Sequence, residues 1–289
     1  MRQSSMRVAI VALLLLALPR AQDRPLPDFT AFSTQVKARL ATDETLQSGY
    51  TFLERRTEQK VNAAGRVTDE SSQLFEVYPG LAGEDRYRRL IEKDGRPVAA
   101  EKLAKEDRER QKTVGAYART IENTAGREKT ERALDKQRRE YSDAVDDIFR
   151  IYDIAMVRRE AIDGHDTIFA ALTPKHGVKP LTDSGKIMRH FRAKAWISES
   201  DYELVRVEIE AIDTLSFGLG LLARVHKGTV ATYQRRKVNN EVWLPAQVTW
   251  TASGRIFLLR RLRLRGISEF SNYRKFTVET TTTVAPPSR

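Results

Sequence analysis

The stretch Phe191-Arg192-Ala193-Lys194-Ala195-Trp196-Ile197, the turn Glu199-Ser200-Asp201 and the run Val205-Arg206-Val207-Glu208-Ile209-Glu210-Ala211 decide the fold class. Phe191, Ala193, Ala195 and Ile197 alternate with Arg192, Lys194 and Trp196. Val205, Val207, Ile209 and Ala211 alternate with Arg206, Glu208 and Glu210. Successive side chains of a strand point to opposite faces, so a period of two means one buried face and one wet face. Antiparallel sheets permit this, and a short turn joins the two runs. The expected unit is a hairpin whose small and branched residues face a core.

Similar signals extend in both directions. Downstream, Thr229 to Val238, the Asn239-Asn240 turn, Val242 to Thr251, a Ser253-Gly254 turn, Ile256 to Leu264 and Phe270 to Thr281 read as a continuing meander. Upstream, Ile154 to Ala161 and Thr167 to Leu172 flank Asp163-Gly164, a two-residue hairpin signal. Earlier still, Tyr50 to Val61, Val67 to Tyr78 and Asp85 to Glu92 read as long strands, the last leading into Asp94-Gly95. Before them Asp28 is placed to cap a helix. Its apolar positions Phe29, Phe32, Val36 and Leu40 recur at three and four, and the pattern stops at Gly49. No helix separates the late strands, which excludes a parallel α/β fold.

The texture changes between Val98 and Phe149, where roughly half the residues are charged with both signs mixed. Lys102, Lys105, Glu106, Glu109 and Lys112 stand at helical spacings. Gly126 is expected to punctuate two helices, and Tyr141, Val145, Ile148 and Phe149 form the clearer apolar stripe of the second. The expectation is a solvated helical excursion, with a lid or a partner-docking arm as its functional alternative.

Arg2 and Arg7 precede an unbroken apolar run of 11 residues from Val8 to Leu18, then Pro19-Arg20-Ala21. This is the layout of a secretory signal, far short of the ~20 residues that span a bilayer. Pro19 is a poor residue two places before a cleavage site, so an uncleaved anchor is the alternative. The chain has no cysteine, which rules out a disulfide framework and a lipobox. An exported, periplasmic protein, soluble after cleavage, is expected. The divisions expected are 1–21 signal peptide, 22–97 helix and first strands, 98–150 helical insertion and 151–289 remaining strands. The net charge of +11 would suggest nucleic acid in a cytosolic chain. In an exported one it suggests anionic headgroups or envelope polymers instead.

Catalytic chemistry finds no foothold. His165, His176, His190 and His226 are scattered, with none at metal-ligand spacing. Gly218-Leu219-Gly220 lacks the third glycine of a dinucleotide loop and any βαβ setting, and reads as an apolar connection. Asp146, Asp147 and Asp213 are isolated acids. No catalytic residue, metal site or cofactor is assigned. Arg261, Arg263 and Arg265 share one face of a basic strand, with Leu262 and Leu264 on the other. They are read as a solvated outer face or as a docking site for an anionic surface.

The Tyr50-Thr51-Phe52 opening, the hairpin from Lys194 and Trp196 through Tyr202, Val205 and Val207, the strands around Trp243-Leu244-Pro245 and the closing Phe270 to Phe276 carry a family resemblance. The chain resembles the periplasmic lipoprotein carriers (LolA/LolB-like) and the related sigma-factor regulatory proteins of the envelope. The resemblance implies an α+β fold: an open antiparallel β half-barrel wrapped over the N-terminal helix, with the charged helical insertion added. It also implies a carrier or binder of lipid, acyl chains or a lipoprotein. Ala193, Ala195, Ile197, Val207, Ile209, Leu244, Ala246, Val248 and Trp250 would form the apolar concave face. The same residues would equally serve as a core packed against the Phe29, Phe32 and Val36 helix. The alternative function is an envelope sensor or adaptor that binds a protein partner through the helical insertion. An envelope protein or an anionic membrane surface is a further expected partner, and nucleic acid is not.

Overall fold

The computed structural model describes residues 24–82, 84–217, 223–256 and 260–276. The signal-type segment and the expected end of the last strand at Thr281 lie outside the described residues. Helix α1 (Phe29–Ser48) leads into strands β1 (Tyr50–Val61), β2 (Val67–Tyr78), β3 (Tyr87–Lys93) and the two-residue β4 (Arg96–Pro97). Helices α2 (Ala100–Glu122) and α3 (Thr124–Ile151) follow. Then come β5 (Tyr152–Ile162), β6 (His165–Pro174), the short α4 (Asp183–Met188), β7 (Phe191–Ser198) and β8 (Leu204–Ala211). A small excursion, β9 (Leu215–Phe217) with β10 (Ala223–Val225), precedes β11 (Val230–Val238), β12 (Val242–Ile256) and β13 (Arg260–Lys275).

Eleven strands form one sheet in the order β4-β3-β2-β1-β13-β12-β11-β8-β7-β6-β5. Every pair within it is antiparallel. Its two ends, β4 and β5, are not paired with each other, so the sheet is open. The first strands and the last therefore share one sheet, joined where β1 pairs with β13. The α+β class and the open half-barrel expected from the sequence describe this molecule.

Local chemistry sets the elements. Asp28 caps α1, its carboxylate accepting the Ala31 amide at 2.8 Å. Asp94-Gly95, Asp163-Gly164 and Asn239-Asn240 all take positive φ at both positions, the geometry that two-residue hairpins need. The Ser253-Gly254 turn is not there. Both residues are paired within the ladder, with Arg263 and Leu262, and β12 continues to Ile256. Ladder pairing over ten positions outweighs the local turn preference of a Ser-Gly pair. Gly126 does not divide the helices either. The break falls at Asn123, whose side chain accepts the Gly126 amide at 2.7 Å. Gly126 serves close approach, because a Cβ there would lie 1.7 Å from the Thr120 carbonyl oxygen.

The inner face is tied to α1 by a buried charge cluster. Arg235 of β11 has no exposed surface. It donates to Asp43 of α1 at 2.6 Å, to Glu203 at 3.4 Å and to the Trp243 carbonyl. Burial pushes the Glu203 carboxyl upward, against the attraction of Arg235. Removing one member of such a group leaves the others desolvated and uncompensated. Arg235→Ala is expected to lower unfolding free energy by about 3–5 kcal/mol, measured by urea denaturation. A change below about 1 kcal/mol would show that α1 is held by its apolar face alone.

Candidate functional site

Partners across a strand pair share a face, so the registers show how the inner face is composed. One row runs Met156, Ala170, Ala195, Val207, Tyr233, Val248, Ser268, Arg56. The next runs Ile154, Leu172, Ala193, Ile209, Ala231, Trp250, Gly266, Glu58. Both rows are apolar over β5 to β8 and polar by β1. The face is thus divided in two.

Over the apolar half lies a cavity of about 140 Å³. Its roof is Phe29, Phe32, Val36 and Leu40 of α1, with Ile148 and Phe149 at the end of α3. Its floor comes from Ile154 and Met156, Ala170 and Leu172, Ala195 and Ile197, and Leu204 and Val207. The small side chains at 170 and 195 face each other across β6 and β7 and leave the space open. Ser33 is the one polar residue of the lining.

The nine residues expected on this face are dispersed. Ala195, Ile197 and Val207 line the cavity. Ala193 and Ile209 pair with each other one row away. Leu244 belongs to a separate cluster with Tyr50 and Val242. Ala246 sits at a bulge where the β11 register shifts between Gln234 and Arg235. Val248 pairs with Tyr233. The Trp250 ring lies over its partner Gly266, where an added Cβ would come within 2.1 Å of it. The bulge between Gln234 and Arg235 and the length of the sheet separate these positions, which strand alternation alone does not reveal. Leu204 was not expected on the cavity. The β7–β8 register shifts so that Ile197 pairs with Leu204, which alternation from Val205 does not anticipate.

The wet face was also simplified by the sequence. Trp196, expected to be outward and solvated, is 8% exposed. It stacks on Phe169 at 5.1 Å, donates its indole N–H to Glu160 at 2.5 Å and lies under the Arg206 guanidinium. Arg158 covers Phe169 in turn. Of the basic strand, Arg263 and Arg265 are exposed, and Arg263 donates to the Ala63 carbonyl at 3.0 Å. The Arg261 side chain lies outside the described residues. Among the described residues no group of three metal-ligating side chains occurs. No described helix is long and apolar enough to cross a membrane.

The cavity's α3 wall is positioned by Asp147, next to Ile148. Asp147 is fully buried. Burial works to raise its carboxyl, yet hydrogen bonds from the Leu181 and Thr182 amides and the Thr182 hydroxyl hold it below the ordinary value. This ties the last turns of α3 to the connection before α4.

No protein-family model matches the chain, and no curated protein sequence matches it. Solved structures of similar architecture include a DUF1329 family protein from Desulfovibrio piger, at 14% identity and TM-score 0.32, covering 86% of this chain and 95% of that one. Another is a putative outer membrane lipoprotein-sorting protein domain from Vibrio parahaemolyticus, at 10% and 0.34, covering 87% and 93%. A third is a LolA superfamily protein from Nitrosomonas europaea, at 8% and 0.28, covering 85% and 94%. The fold assignment itself rests on the open sheet described above.

Asp147 yields a test with a defined sign. A carboxylate whose folded-state pKa is depressed contributes stability in full above its unfolded value, lost as pH falls through the folded one. Asp147→Asn is expected to cost about 1–3 kcal/mol at neutral pH by urea denaturation. The gap from wild type should begin to narrow as pH falls below the ordinary carboxylate value of about 3.9 and close only below the lower folded-state value, where both side chains are neutral. A gap that persists unchanged in acid would assign the loss to packing.

Proposed function

We propose that this chain is an exported carrier or binding protein for a lipid or acyl chain, and that the tail enters between α1 and strands β5 to β8. The observation that supports this reading is the cavity itself, whose exposed lining surface is entirely apolar. A void lined by carbon gains nothing from water, and an apolar occupant recovers the missing dispersion contacts. Ligand sites for drug-sized molecules span roughly 300–1,000 Å³, so about 140 Å³ accepts the end of a chain rather than a whole lipid. A longer tail requires α1 to move away from the floor or the tail to leave between α1 and α3. Ala195 sets the depth, since the floor is lowest where Ala170 and Ala195 pair.

A second reading has its own support. No residue of α2 is buried, and α2 and α3 form a long charged arm. That arm suits an envelope adaptor that binds a protein partner. It is attached to the sheet by polar contacts: Arg89 with Asp107 at 2.7 Å, and Tyr87 with Glu106 at 3.1 Å. Replacing residues 111–134 by a short linker spares those contacts and the cavity wall. Loss of partner capture with retained lipid binding would favour the adaptor.

The carrier reading is tested with a fluorescent fatty acid titrated into the purified full chain. Wild type is expected to bind, with affinity rising with chain length until the cavity is filled. Ala195→Trp should reduce affinity at least tenfold while costing about 1–3 kcal/mol of stability through overpacking. Absence of binding to wild type, or unchanged binding by a folded Ala195→Trp protein, would reject it.

A further inference from the structure

The registers place one set of connections at one end of the sheet. There β8 ends against the start of β11, β12 ends against the start of β13, and β1 ends against the start of β2. The β6 to β7 connection leaves at the same end, since Leu172 pairs with Ala193 and Phe191 with Ala211. Together with the β3–β4 turn 94–95, residues 60–69, 175–190, 212–217, 223–229, 251–256 and 260–265 hold thirteen lysines and arginines against four carboxylates. Asp69 pairs with Lys60 at 2.5 Å and Asp183 with Lys186 at 2.7 Å, Asp213 hydrogen-bonds His190 at 2.8 Å, and Asp94 accepts the Ser72 amide at 2.9 Å. The connections of the opposite end have the opposite sign: residues 79–82, 84–86, 163–164, 199–203 and 239–241 hold seven carboxylates and one arginine, Arg86. Four of the seven, Glu84, Glu199, Asp201 and Glu203, are ion-paired with Arg110, Arg159, Lys237 and Arg235, and β13 ends there on Arg274 and Lys275.

The basic end also presents large apolar side chains to solvent. Leu181 is 67% exposed and Ile187 is 44% exposed. They stand on the connection between β6 and β7, which carries the exposed Lys179, Lys186 and Arg189. Apolar side chains among cations match the interface of an anionic bilayer, where the cations meet headgroups and the apolar groups enter the region beneath them. A nucleic acid would instead call for aromatic or polar groups to read bases.

We propose that the chain docks on an anionic phospholipid surface through this end, with the acidic end turned away. The proposal does not rest on the acyl-chain reading, because the surface and the cavity share no residue. It also places Arg263 and Arg265 within a larger basic field, rather than as a site of their own. Each Lys or Arg near such a surface contributes about a few-fold in affinity, and screening by salt weakens all of them together.

The test is co-sedimentation of the full chain with phosphatidylcholine vesicles, with and without phosphatidylglycerol. The expected result is stronger binding to the mixed vesicles, falling as salt is raised. Lys179→Gln with Arg189→Gln should weaken binding to the mixed vesicles by about 30-fold. A second measurement does not depend on a variant with altered charge. Because the chain has no cysteine, a single environment-sensitive label on Leu181→Cys or on Glu241→Cys reports each end separately. The label at 181 should shift to the blue on mixed vesicles, and the label at 241 should not. Equal binding to both vesicle types, no binding to either, full binding by the double variant, or a shift at 241 in place of 181 would each overturn the proposal.

Discussion

Arg235 bears most directly on how this molecule is arranged. It projects from β11 onto the inner face, meets Asp43 of α1, and is flanked by Glu203 from the β7–β8 turn and by the Trp243 carbonyl of β12. An arginine with no exposed surface is tolerable only when its charge is met, and here two carboxylates and a carbonyl meet it while its Nε has no partner. Meeting that requirement fixes four parts at once: the helix, the turn, β11 and β12. Once α1 is held there, its N-terminal half must lie over β5 to β8, and its apolar positions Phe32 and Val36 face Ile168 and the cavity. A second arginine fixes the other end of the path. Arg159, 5% exposed, donates to Glu199 and to the Arg24 and Pro25 carbonyls. The helix is therefore pinned by polar groups at both ends of its course, with the apolar contacts between them.

This arrangement explains why the inner face is divided. An open sheet of eleven strands has more inner surface than one 20-residue helix covers. Under α1 the rows are Met156, Ala170, Ala195 and Val207. Beyond Arg235 they become Ser268, Arg56 and Gln73, with the buried Glu54 held by Arg56 at 2.6 Å and Arg88 at 3.1 Å. Past α1 this half is covered by its own arginines, Arg56 over Phe75 and Arg86 over Phe52, beside the Glu54 ion pairs. The apolar space lies in the half under α1.

Much of the architecture was legible in the sequence because its signals are local. Alternation gave the strands, Asp28 the helix start, and paired turn residues three of the hairpins. What escaped is what depends on distant partners. Ser253 and Gly254 read as a turn until the ladder with Arg263 and Leu262 is known. Leu244 and Ala195 have equal claims to a concave face by alternation, yet the bulge at β11 and the curvature of the sheet send them to different clusters. The insertion was legible as charged helices, but not as a cavity wall. Ile148 and Phe149 acquire that role only because Asp147 binds the 181–182 amides and swings the last turns of α3 onto the floor. The Arg235 cluster left no local mark at all, since Asp43 and Arg235 are 192 positions apart.

Net charge was the least informative quantity read from the sequence, and its distribution is among the more informative ones in the fold. On the outer face over β7 and β8 the charges cancel by register: Arg192 faces Glu210 at 2.7 Å and Lys194 faces Glu208 at 3.9 Å. Cross-strand pairs of this kind add little stability, but with Arg206 sharing Glu208 they leave only one uncompensated positive charge on that face. The helical arm does the same along its own length, through pairs such as Lys112 with Glu109 and Arg138 with Asp135. The charge of +11 is consequently not a property of the whole surface. A large basic excess is gathered in the connections at one end of the sheet. Because the acidic connections collect at the other end, the molecule has a direction as well as a charge. A uniform field would attract a polyanion to any face; a field along the strands turns one end toward it.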